Sequence, residues 1–349
     1  MVDLLHGVGD FFSLDFGSKA LRMVQLSGNV KKGWALEKYA YVPIDPKLLM
    51  DEGEGGIMKT AAVIREAVKQ AGIETKNVAV GLPSSRTFTS IVEIENRTPK
   101  ELKNTIMYEI DQFVPMAMDE AKVDWASIGT SPNDPSKMEI VVSSTQNNYA
   151  EKMMNLVETA GLNVIAQEPE PLAMARALMV RSMGDGQLIV DFGEKVTDLV
   201  IVYKGGPRVV RTIAGGLEQL VDAVSTGLAV APEQARQFIL QFGLSQDKVE
   251  GQVFKALDTS LNLFAQELGK SIRFFQSKYM GAKVGGITAA GFGTVVPLFA
   301  EYIEAKTGVT TLRGNPWQSV RMTSGQQSAL APVASEFAVA VGLAERSNE

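Results

Sequence analysis

The chain contains the pattern Asp-Phe-Gly-x-Lys twice, in SLDFGSKALR from Ser13 and in IVDFGEKVTD from Ile189, 176 positions apart. No other feature restricts the possible folds as strongly. Each copy ends one apolar run and begins the next. Phe11 to Phe16 reads as a buried strand stopped at Gly17, followed by strands over Ala20 to Leu26 and Trp34 to Val42. Leu188 to Phe192 is likewise a strand ending at Gly193, followed by Thr197 to Tyr203 and Arg208 to Ile213 around a Gly205-Gly206 turn. Helices follow both meanders: Gly56 to Ala71 in the first half, and one opened by Gly215-Gly216 at Leu217 in the second. One Asp-Phe-Gly suggests a protein kinase. That reading fails, because a kinase needs a His-Arg-Asp loop and a glycine-rich phosphate loop, and the sole histidine is His6. Two copies heading matched meanders indicate an internal duplication.

Each copy carries extra sequence. Arg86 to Asn163 reads β-α-β-β-α: strands Thr87 to Ile94, Lys122 to Ile128 and Met138 to Ser143, with helices Pro99 to Phe113 and Asn147 to Ala160. The first of those helices should turn Leu102, Ile106, Ile110 and Phe113 inward. In the second copy, Pro232 to Phe242 and Gln252 to Met280 read as helices. The longer one carries Leu257, Leu261, Phe264, Leu268, Ile272, Phe275 and Tyr279 at steps of three and four, a core stripe. GGITAAGFGTVVPLF reads as strand, glycine turn and helix, and Val333 to Arg346 as a last helix.

At 349 residues, about two domains are expected. Their anticipated layout is a first core of 1–85, 164–187 and 330–349 and an inserted subdomain of 86–163. A second core of 188–230 and 285–329 carries a helical insertion of 231–284. With no cysteine and one histidine, thiolate metal sites and a Ser-His-Asp triad are excluded. A net charge of −6 argues against a nucleic-acid partner. No apolar run is long enough to span a bilayer; Ala329 to Ala344 is broken by Pro332 and Glu336. The first twelve residues lack Lys and Arg, so no signal peptide is expected, and LLHGVGDFF reads as a lead into the first strand, with a weak interfacial anchor as the alternative. The expected location is the cytoplasm, with membranes reached through partners.

A glycine-tipped turn between strands presents backbone N–H groups that can bind an anion. An aspartate ending the first strand repels phosphate but can hold Mg²⁺ through water. Two such turns facing each other would grip a polyphosphate, with Asp15 and Asp191 on the metal side.

Two Asp-containing turns, a connecting helix and a late glycine turn resemble the actin, sugar-kinase and 70-kDa heat-shock ATPase superfamily. Within it the chain resembles the PilM family of actin-like type IV pilus assembly proteins. The resemblance covers nearly the whole chain and lies in LDFGSKALRMVQLSG, ELKNTIMYEIDQFVPMAMDEAKVDW, QEPEPLAMARAL and SEFAVAVGLAER. It implies an actin-like α/β fold of two ribonuclease-H-like domains that binds ATP and Mg²⁺. Asp15, Gly17, Ser18 and Lys19 would form the first phosphate turn, with Arg22 a basic phosphate contact. Asp191, Gly193, Glu194 and Thr197 would form the second, with Gly215 and Gly216 nearby. Gly291 and Gly293 would form the adenosine turn, and Glu267, Lys270 and Ser271, one turn apart on the long helix, would either surround ribose and adenine or form a surface ion pair. Glu168 and Glu170 would lie near a water-activating position, with Pro169 and Pro171 marking a hinge.

The chain departs from relatives at Lys19 and Ala20, where hydroxyl residues are usual. It departs again at Ala290-Gly291-Phe292, where two glycines are usual. These changes leave binding and imply weak ATPase activity at most. The implied partner is the cytosolic N-terminal peptide of PilN, in a groove between the first core and the insertion. The wider implied setting is the pilus platform, its motor ATPases, twitching motility and self-association, at the inner face of the cytoplasmic membrane. The alternatives are a small-molecule kinase of the superfamily and an FtsA-type cell-division actin.

Overall fold

A computed structural model describes residues 10–51, 53–180, 183 and 186–346. His6 and most of LLHGVGDFF lie outside them. The chain opens with the expected meander, β1 (Phe12–Phe16), β2 (Ala20–Asn29) and β3 (Gly33–Pro43). A short helix α1 (Pro46–Met50) starts where the Asp45 carboxylate accepts from the Lys47 N–H. Helix α2 (Glu54–Ala71) ends at Gly72, whose φ of 65° is left-handed and suits glycine. Strand β4 (Asn77–Leu82) then leads to the insertion: β5 (Thr87–Glu95), α3 (Pro99–Asp111), β6 (Ala121–Thr130) and β7 (Lys137–Gln146). A capping box of Thr98 and Glu101 starts α3. Next come α4 (Asn147–Thr159), β8 (Asn163–Pro169) and α5 (Glu170–Leu178).

The second copy follows as β9 (Gly186–Phe192), β10 (Val196–Tyr203), β11 (Gly206–Ala214) and α6 (Leu217–Leu228). Helices α7 (Pro232–Phe242) and α8 (Gln252–Lys278) precede β12 (Val284–Gly291), α9 (Phe299–Thr307) and β13 (Thr311–Arg313). The chain ends in β14 (Val320–Arg321), α10 (Ser324–Leu330) and α11 (Ala338–Ala344). The single last helix expected over Val333 to Arg346 is divided. A 3₁₀ turn over Ala334–Phe337 precedes α11.

Duplication is visible in the sheets. The first runs β14-β3-β2-β1-β4-β8 and the second β11-β10-β9-β12-β13. In each, the head strand pairs antiparallel with the next strand and parallel with the strand after the helix. The insertion forms its own antiparallel sheet, β5-β7-β6.

Contacts divide the chain into one unit of Met1–Ala177 with Pro316–Glu349 and a second of Leu178–Asn315. This moves the anticipated boundaries. Residues 316–329 join the first unit because β14 pairs with β3 and Trp317 is buried against Phe337. In the first unit both faces of β1 are covered. Phe12 and Leu14 pack with Ile64 of α2 on one side. On the other, the buried Ser13 hydroxyl donates to the Ala340 carbonyl of α11 at 2.6 Å. Helix α4 packs on α2 and adds Val157 to this core.

The insertion core holds Leu102, Ile106 and Ile110 as expected. Phe113 lies past the end of α3 and is 41 % exposed, and Val114 fills the inward position. In the second unit every member of the α8 stripe enters one core with Leu188, Val190 and Phe192 of β9. Among the described residues no single helix is long and apolar enough to cross a membrane. The apolar run around Phe337 to Leu343 is buried core.

Candidate functional site

The second Asp-Phe-Gly turn is held by backbone. The Gly193 N–H donates to the Val196 carbonyl at 3.1 Å and the Gly215 N–H to Lys195 at 3.1 Å. The first N–H groups of α6 also find partners here: Leu217 donates to Gly193 and Glu218 to Glu194, at 3.0 and 2.9 Å. The Thr197 hydroxyl donates to the Gly215 carbonyl at 2.8 Å. A Cβ on Gly216 would lie 2.5 Å from the Gly193 carbonyl oxygen, so only glycine lets these segments touch. Gly193, Thr197, Gly215 and Gly216 thus form one knot, and several N–H groups expected to face an anion are bonded within it. Glu194 is buried and ion-paired with Arg236 of α7. No sequence signal linked those two, because they are 42 residues apart.

Asp191 lies at the end of β9, beside β12. Gly291 takes φ 58° and ψ −136°, and a Cβ there would lie 2.3 Å from Asp191 Oδ1. The carboxylate therefore rests against bare backbone, and these two expected residues are brought together. Gly293 has a different reason: it is buried, and a Cβ would meet the Phe299 ring at 3.1 Å. Directly opposite Asp191 on β10 stands Asp198. Opposed residues on paired strands share a sheet face, so this turn carries two acids.

On α8, Glu267 lies between two cations. Lys270 Nζ is 2.6 Å from Oε1 and Arg211 Nη2 is 3.5 Å from Oε2. The Lys270 hydrogen bond holds the Glu267 carboxyl below its ordinary value. Ser271 is fully buried. Its hydroxyl donates to the Glu267 carbonyl and accepts from Arg211 Nη1 at 2.7 Å. The cluster is compact, but Ser271 serves Arg211, which sequence reasoning missed.

The first turn differs in charge. Arg22 is the cross-strand partner of Asp15, where the second copy has Asp198 opposite Asp191. Arg22 Nη1 donates to Asp15 Oδ2 at 3.0 Å, and Nη2 to Glu336 Oε2 at 2.6 Å. Burial pushes the Asp15 carboxyl above its ordinary value, against the pull of Arg22. The guanidinium lies over Gly17, where a Cβ would be 1.9 Å from Nη1. Ser18 and Lys19 are exposed at the tip. Among the described residues no group of three or more His, Cys, Asp or Glu side chains is arranged to hold a metal ion.

Glu168, expected near a water-activating position, is buried between two arginines: Arg176 Nη2 at 2.5 Å and Arg346 Nη1 at 3.0 Å. Burial alone would raise its carboxyl, but the two guanidiniums outweigh it and hold it below the ordinary value. That favours an anchor over a general base.

Glu345 is the opposite case. It is 5 % exposed, its Oε1 has no partner among the described residues, and burial pushes it up to about 7 from 4.5. The folded state then binds more protons than the unfolded one between those values, so its stability falls as pH rises through about 7. Glu345→Gln is expected to stabilise the protein at pH 8 by about 2 kcal/mol and by little at pH 5. Urea unfolding at the two pH values measures the difference. Equal effects at both would contradict the assignment.

A duplicated sheet with β3-β2-β1-β4-β8 order, repeated as β11-β10-β9-β12-β13, defines an actin-like fold. Solved structures agree. The chain matches one in the PilM–PilN type IV pilus biogenesis complex with TM-score 0.81 and 22 % identity, over 98 % of this chain and 99 % of that one. It matches the ethanolamine utilization protein EutJ of Carboxydothermus hydrogenoformans at TM-score 0.55 and 14 % identity, over 96 % and 89 %. It matches MreB5 of Spiroplasma citri, solved bound to ADP, at 0.51 and 14 %, over 96 % and 95 %. The family described as type IV pilus assembly protein PilM matches residues 13–348, and the chain belongs to it.

Proposed function

We propose that this protein binds ATP with Mg²⁺ and that nucleotide state sets its grip on the cytosolic N-terminal peptide of a PilN-type membrane protein. Membership of the PilM family over residues 13–348 is the observation that carries this reading. The solved PilM–PilN complex that the chain resembles supports the choice of partner. In this reading the peptide lies in a groove between the first core and the insertion. The insertion sheet has β5 and β6 as its edges, which suits an added strand. The protein then works at the inner face of the cytoplasmic membrane, recruited by PilN, within the platform that serves the pilus motor ATPases and twitching motility.

The residues differ in how well they suit a metal–nucleotide pair. Mg²⁺ takes one or two carboxylates and keeps several waters. Asp191 suits it: the carboxylate rests on Gly291, where no side chain intrudes, with Asp198 opposite. Asp15 would hold it beside Arg22, which donates to its Oδ2. When bound, the metal supplies charge neutralisation between phosphate oxygens. Glu267, Lys270 and Arg211 supply polar groups for a ribose or base. The two arginines on Glu168 support slow hydrolysis at most.

Titration of labelled ATP with Mg²⁺ into the wild type and Asp191→Ala tests the nucleotide part. The variant is expected to bind about tenfold more weakly or worse, the loss of one charge-assisted contact. Unchanged affinity would remove Asp191 from the site.

A further inference from the structure

Arg22 serves two carboxylates at once. Besides Asp15 it holds Glu336, which lies 314 residues away in the turn before α11. The Tyr41 hydroxyl of β3 donates to the same carboxylate, 3.1 Å from Oε2, and the Arg22 guanidinium carbon lies 5.9 Å from the Tyr41 ring centre. Arg22 Nε is buried and has no acceptor among the described residues. One guanidinium between two carboxylates leaves a net charge of about −1 over Gly17, which opposes an incoming phosphate.

The two acids are not equally able to let go. The Asp15 side chain is 3 % exposed, and freeing it would strand a buried charge. The Glu336 side chain is 37 % exposed, so water can take over its solvation.

We propose that Glu336 is an internal competitor for the anion at the first turn. A polyphosphate reaches Arg22 by displacing the Glu336 carboxylate toward water. Glu336 is thus a positioning residue that acts through Arg22. It sets the affinity of the turn and links anion binding to the start of the last helix. The proposal rests on the nucleotide reading above and adds a residue to it.

Calorimetry on the full chain tests it, with ATP–Mg²⁺ and inorganic tripolyphosphate as separate probes. Glu336→Gln keeps a hydrogen-bonding side chain but removes the competing charge. It is expected to bind both probes about five- to tenfold more tightly. Tyr41→Phe, which only loosens Glu336, should gain about twofold. The Glu336→Gln gain should vanish in an Arg22→Gln background, which a purely structural role would not produce. Wild-type binding with unchanged or weaker affinity in Glu336→Gln would overturn the competitor alone. No binding by the wild type or any variant would overturn the nucleotide reading with it.

Discussion

Gly342→Ala is expected to destabilise the protein by about 3 kcal/mol, enough to shift its urea midpoint strongly. A Cβ at Gly342 would lie 1.8 Å from the Ala173 carbonyl oxygen and 2.4 Å from its carbon. Both atoms are backbone of α5, so no side chain can swing away. The close approach of α11 to α5 also brings the Gly342 carbonyl to Arg176, which donates to it at 2.5 Å. Arg176 in turn holds Glu168, so one methyl group would disturb both the helix seat and a buried ion pair. Unfolding within about 0.5 kcal/mol of wild type would show that α11 does not pack as described.

Arg22→Ala is the second large effect. It leaves Asp15 buried without its cation, and breaking a buried pair in this way typically costs about 3–5 kcal/mol. The lower end is expected here. Arg22 is 12 % exposed and its second partner, Glu336, is 37 % exposed, so water screens part of the loss. Adding Asp15→Asn should recover part of the stability, because a neutral amide is less costly to bury than an unpaired carboxylate. Chemical denaturation of the two single variants and the double variant closes the cycle. Simple additivity would mean that Asp15 and Arg22 do not act as a pair.

The contrast between the turns shows what the sequence could and could not reveal. Glycines and the repeated pentapeptide marked the strand ends, so the two meanders were legible. The α8 stripe was legible because a period of three and four over so many residues fits only a helix facing a core. The Asp15–Arg22 pair was also within reach. A hairpin that pairs Phe16 with Leu21 must set Asp15 opposite Arg22, and the same register in the second copy sets Asp191 opposite Asp198. Equal spacing along the two strands conceals this opposite chemistry, which appears only across the hairpins.

Other partners were beyond local reasoning. Glu336 meets Arg22, and Arg236 meets Glu194, only through tertiary packing. Phe113 followed the helical period but stands beyond the end of α3. Residues 316–329 carried too little apolar pattern to show that β14 would return to the first sheet. The family match runs over residues 13–348, and the residues set opposite the two aspartates differ between the turns. Asp15 faces an arginine across its hairpin, and Asp191 faces a second acid.

In the proposed function, nucleotide state governs the grip on a PilN-type peptide. Calorimetry of a synthetic peptide from the start of the cognate PilN against this protein, with and without ATP–Mg²⁺, tests it most directly. Binding is predicted in both conditions, with affinities that differ by about threefold or more, the sign of a coupling between two sites. No binding up to about 1 mM peptide in either condition, or the same affinity in both, would contradict it.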